Sequence, residues 1–102
     1  PDFMIYSGER KILDHSVIEN PSMISFYIRK SNPGERIQLE KTKKLQDFLT
    51  DKKIFYHWRK KVKVIETEKK QFAGLIEPVS GKLFLRKEFQ GALILTAQPC
   101  AF

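Results

Sequence analysis

His15, His57 and Cys100 are the side chains of this sequence with ready metal-ligating or thiol chemistry, and their arrangement builds no site. Two distant histidines and a lone cysteine fall short of a tetrahedral zinc set, and no CxxC pair is present. Ser7-Gly8 and Ser80-Gly81 do not open into a Gly-rich loop leading to a helix, so the phosphate cradle of a nucleotide site is missing. His57 beside Trp58 resembles a base next to a stacking ring, but a lone histidine flanked by aromatics is more often a partly buried packing residue. No two carboxylates have the spacing of a general acid and base. No catalytic residue, metal or cofactor is therefore assigned to this segment.

The residues that can do chemistry are the basic ones, and the chemistry is that of a polyanion site. The stretch "KKLQDFLTDKKIFYHWRKK" (43–61) holds seven Lys or Arg. Residues 29–63 carry twelve Lys or Arg against four Asp or Glu, a net of +8, whereas the rest of the chain carries seven against eight. The whole net charge of +7 thus lies in one third of the sequence, and such asymmetry points to a polyanionic partner, nucleic acid being the commonest.

The elements that position these charges can be read from periodicity. A chain of 102 residues supports one domain and one core. Short strands are expected at 3–6, 11–18, 23–30 and 35–40, with turns at "SGER" and "NPG" between them. Leu45, Phe48 and Leu49 then switch to helical spacing, which predicts a helix over 43–52 capped by Thr42. "IFYHWRKK" contains no breaker and is read as a further short helical turn. Strands return at 61–66, 71–78, 83–89 and 92–97, with turns at "TEKK" and "VSGK". Strands, one main helix and strands again define an α+β domain of mostly antiparallel strands.

Within that frame Lys52 and Lys53 suit a helix C-terminus, where cations complement the dipole. Lys43 and Lys44 do not suit a first turn, which disfavours cations by roughly 0.3–1 kcal/mol each. Free N–H groups flanked by two ammonium groups would instead make a phosphate site. The aromatics at 55–58 leave two readings open, packing into the core or stacking on bases.

"FYIRKSNPGERIQL" (26–39), "KKLQDFLTDKKI" (43–54), Arg59, "VKVIE" and "FAGLI" together resemble the C-terminal domain of bacterial tRNA(Ile)-lysidine synthetases. Gly34, Glu35 and Arg36 match that family's Gly-Asp-Arg turn, and Lys43, Lys44 and Leu45 its Lys-Lys-Leu helix start. Asp51, Lys53 and Ile54 match its helix exit, and Arg29 and Arg59 its flanking arginines. Departures are Glu35 for Asp, Phe55 for proline, and a shorter loop, "EKT", before the helix. The resemblance implies a domain that holds tRNA(Ile) near its acceptor stem, excised from a longer enzyme. That enzyme's N-terminal domain would use ATP and Mg to join lysine to the wobble cytidine.

The expected RNA-binding residues are Lys43, Lys44, Arg36 and Arg59, with Arg29, Lys52 and Lys53 in support. The alternative is a basic protein-interaction module without an RNA role. A sequence that starts at Pro1, lacks signal-peptide features and reaches no run of about 18 apolar residues is expected to be a cytoplasmic segment without a membrane span.

Overall fold

The computed structural model describes residues 3–5, 10–13, 16–22 and 24–97. In chain order its strands are β1 (Phe3–Ile5), β2 (Arg10–Leu13), β3 (Ser16–Glu19), β4 (Phe26–Lys30), β5 (Arg36–Gln38), β6 (Thr42–Lys44), β7 (Lys63–Thr67), β8 (Phe72–Glu77), β9 (Lys82–Leu85) and β10 (Ile94–Ala97). The helix α1 (Leu45–Asp51) follows β6 directly, and 3-10 turns cover Tyr56–Lys61 and Lys87–Phe89. This is an α+β fold of mostly antiparallel strands with one main helix.

The central sheet runs β1-β4-β7-β8-β9, antiparallel throughout. Strict alternation in β4 and β7 sends Phe26, Ile28 and Ile65 to one face and Val64 to the other. β8 has almost no polar position because both of its faces are covered, and it is buried from Ala73 to Glu77. The first face meets Ile18, Ala92 and Leu93 under a second sheet, β10-β3-β2. The second face meets Ile37, Leu45, Phe48, Leu49, Ile54 and Val62, supplied by the β5-β6 hairpin, α1 and the turn after it. The cationic segment therefore belongs to one outer layer of three.

A helix of seven residues has little stability of its own. Burying Leu45, Phe48 and Leu49, each worth about 1.5–3 kcal/mol, is what holds α1 in place. The apolar stripe read from sequence is thus the helix's buried face.

The turn after β8 joins the two sheets. Glu77 is fully buried, and its carboxylate accepts the N–H groups of Val79 (3.0 Å) and Ser80 (2.9 Å) and the Ser80 hydroxyl. These bonds offset a desolvation cost of several kcal/mol. The buried Ser16 hydroxyl donates to the Pro78 carbonyl, and Gly81 (φ +74°) leaves no room for a Cβ, which would lie 2.7 Å from that of Ala97. At Gly74 a Cβ would meet the Phe84 carbonyl oxygen at 2.3 Å, so glycine sets the spacing of β8 and β9.

Several boundaries depart from the sequence reading. The helix begins at Leu45, not 43, because Lys43 and Lys44 pair with Ile37 and Arg36 in a hairpin and the Leu45 N–H continues toward the Glu35 carbonyl at 2.9 Å. Thr42 is therefore a strand residue, and Lys44 occupies the N-cap position without a side-chain cap. The strand expected at 11–18 is a hairpin of β2 and β3. The strand expected at 83–89 stops at Leu85: the Arg86 N–H makes one last cross-strand bond to the Ala73 carbonyl (2.8 Å), and a 3-10 turn over Lys87–Phe89 takes the place of its second half. Residues 6–9, His15, Met23 and Cys100 lie outside the described residues.

Candidate nucleic-acid interface

Arg36 and Lys44 stand directly opposite each other across the β5-β6 hairpin, both exposed. Like charges so placed destabilise a strand pair. Neither has a hydrogen-bond or ion-pair partner among the described residues, so the hairpin presents two uncompensated cations side by side. Lys43 lies on the opposite side of β6, in register with the buried Ile37, and its ammonium is paired with Asp51. The two lysines expected to act together are separated by the strand's pleat. Their placement in a strand removes the expected first-turn phosphate site.

Arg29 is the centre of a carboxylate clamp. Its guanidinium binds Glu35 through two bonds (2.9 and 3.1 Å) and Glu66 at 3.1 Å, with all three side chains less than one fifth exposed. The Glu35 carboxylate also accepts the Asn32 N–H at 2.9 Å. Hydrogen bonding to Glu35 first, and then to Glu66, raises the Arg29 pKa above its already high ordinary value. The Arg29 hydrogen bond holds the Glu35 carboxyl below the usual carboxylate range, with help from the Asn32 N–H. Glu66 shares the face of Arg29 because the β4-β7 register runs unbroken from Arg29–Val64 to Tyr27–Glu66. Arg29, read from sequence as a phosphate contact, is engaged in fixing the turn that leads to Arg36.

The helix exit is equally well defined. Lys53 N–H bonds the Thr50 carbonyl and Ile54 N–H the Leu49 carbonyl, each at 3.0 Å, closing a Schellman motif with the buried Ile54 as its apolar lock. Lys53 takes the left-handed position of that motif (φ 56°), where glycine is usual. Arg59 donates Nε to the Ile54 carbonyl (3.1 Å) and Nη1 to the Thr50 hydroxyl (3.2 Å), tying the following turn to α1. Lys52 lies 5.7 Å from the Phe48 ring. Lys44 and Lys52 are separated by roughly 12 Å along the helix axis, at 1.5 Å per residue.

Lys53→Gly should therefore raise stability by about 1 kcal/mol, the cost of a left-handed non-glycine residue. A melting curve reads that gain.

The aromatics of the basic segment divide. Trp58 is half-buried against the second core, whereas Phe55 and Tyr56 are 54% and 69% exposed, and His57, expected to be partly buried, is exposed too. An open groove of about 780 Å³ beside the hairpin is lined by Ile37, Phe48 and Phe84, by the expected contacts Lys43 and Lys52 with Asp51 and Glu40, and by Lys41, Arg86 and Lys87. Lys41, Arg86 and Lys87 are not among the binding residues expected from sequence, although Lys41 belongs to the basic segment. Arg86 and Lys87 sit in the part of the chain whose charges sum to nearly zero, and only the fold brings them to the rim.

Among the described residues no group of three or more His, Cys, Asp or Glu is placed to hold a metal, and no helix is long and apolar enough to cross a membrane. Fold and surface together define a small α+β domain with a cationic outer layer. No protein-family model, curated protein or solved structure matches the chain.

Proposed function

We propose that this chain is an RNA-binding domain that holds tRNA through its phosphates, in the manner of the C-terminal domain of a cytoplasmic tRNA(Ile)-lysidine synthetase. Arg36, Lys44, Lys52 and Lys53 are the contact residues, while Lys43, Arg59 and Arg29 position them. The observation that carries this reading is the Arg36–Lys44 cross-strand pair, two like charges held together without a counter-ion among the described residues. An anion between them turns an unfavourable pair into a site. Phosphate contacts give affinity and register but little sequence information. Selection of tRNA(Ile), and the ATP- and Mg-dependent joining of lysine to its wobble cytidine, would belong to the N-terminal domain of the parent chain.

Counter-ion release supplies the test. Four phosphate contacts predict that log affinity of the chain for tRNA(Ile) falls with log salt at a slope of about −3 to −4. Filter binding across a salt series measures it. A flat salt response, or no binding at low salt, rejects the RNA reading and leaves the basic face as a protein-docking surface.

A further inference from the structure

We infer that Phe55, Tyr56 and His57 form a stacking platform for unpaired nucleotides, placed just past the exit of α1 after Lys52 and Lys53, so that it takes a single-stranded tail of a phosphate-bound duplex. The inference rests on the RNA reading above and adds a ligand class to it. From Lys52 to Lys63 the chain carries six Lys or Arg and no acidic residue. Within this acid-free run the aliphatic Ile54 and Val62 are 2% and 1% exposed and Trp58 is turned to the core, yet Phe55 and Tyr56 keep more than half of their surface in water. What the segment leaves outside is aromatic and cationic, which is the composition that base faces and phosphates together require.

The backbone that carries the platform is tied down. Phe55 lies between the buried Ile54 and the 3-10 turn, whose Trp58 N–H bonds the Phe55 carbonyl at 2.9 Å, and Arg59 ties the turn to the Ile54 carbonyl. Phe55 touches His57 and Trp58 at centroid distances of 5.1 and 5.4 Å, and Tyr56 touches His57 at 5.9 Å, all at steep interplanar angles. No ring in the group is stacked face to face on another. A backbone already fixed before binding loses little freedom on contact with a base. Anionic lipid is the competing occupant of a cationic aromatic surface. The observations favour nucleotides, because the tryptophan and the aliphatic side chains that would enter a bilayer are the ones withdrawn into the core.

Three labelled RNA hairpins with the same stem test this, using the chain as it stands: one blunt, one with an unpaired 3′ tail of about four nucleotides, and one whose tail is abasic. The tailed hairpin should bind about tenfold more tightly than the other two, because the abasic tail keeps the phosphates and lacks the bases. Phe55→Ala with Tyr56→Ala should abolish that preference while leaving blunt-hairpin affinity unchanged and lowering the melting temperature by only a few degrees, since both rings are more than half exposed and Phe55 packs on Trp58. Tyr56→Phe should keep the preference. Equal binding of blunt and tailed hairpins overturns the platform and leaves the phosphate-binding reading standing. Binding of none of the three overturns both. Vesicles of anionic phospholipid that bind the wild-type chain but not the double variant, with no preference for the tail, would assign the rings to a membrane and overturn the inference.

Discussion

Arg36→Glu is expected to weaken tRNA binding about tenfold and to lower the salt slope by one to two, while the protein becomes slightly more stable. The introduced carboxylate would face the Lys44 ammonium across the hairpin, replacing a like-charge pair with an opposite-charge one, for a gain of about 0.5 kcal/mol. It would also neutralise Lys44, the second of the proposed phosphate contacts, so one substitution disables both members. Affinity and stability thus move in opposite directions. If Arg36 served only the fold, its loss would lower the melting temperature and leave RNA binding alone. Urea denaturation beside filter binding on the same preparation separates the two, and Arg36→Glu with Lys44→Glu, which restores like charge in the hairpin, should return stability to near the wild-type value while binding falls further.

The parts of this fold that were legible in the sequence are those where burial enforces a period. Leu45, Phe48 and Leu49 could be read as one helix face because all three are buried against the same core. The run from Ala73 to Ile76 could be read as a strand because both faces of β8 are covered. Lys43 and Lys44 could not be read as a strand, since β6 is three residues long and its pairing with β5 depends on the loop between them. Arg29 carried no sign of its clamp, as Glu66 lies 37 positions away and becomes a neighbour only through the β4-β7 register. Nor does spacing separate Phe55 and Tyr56 from Trp58. In a 3-10 turn of about three residues per turn, one ring in three reaches the core, and the sequence offers no residue that says which.

Arg29 is expected to matter for stability more than any other cation of the segment, and for RNA only through the turn it holds. Arg29→Met leaves the partly buried Glu35 and Glu66 carboxylates without their cation, and should cost about 1–3 kcal/mol at neutral pH. Arg29→Lys is the sharper probe. A lysine keeps the charge but not the fork that holds two carboxylates at once, so a clamp predicts substantial loss, whereas a phosphate contact predicts near-normal affinity and stability. Acid titration adds an independent signature. The Glu35 pKa is lowered in the folded chain, so its stabilising contribution is fully present above the ordinary glutamate value of about 4.3 and is lost as pH falls from there through the folded value. Glu35→Gln should therefore be less stable than wild type at pH 7, and the gap should close on acidification. Arg29, with its pKa raised, stays charged across this range and contributes no titration of its own. Because the Glu35 carbonyl also receives the Leu45 N–H, loosening the clamp frees the start of both β5 and α1. Arg29→Lys should then weaken tRNA binding with little change in its salt slope, the mark of a residue that positions phosphate contacts without making one.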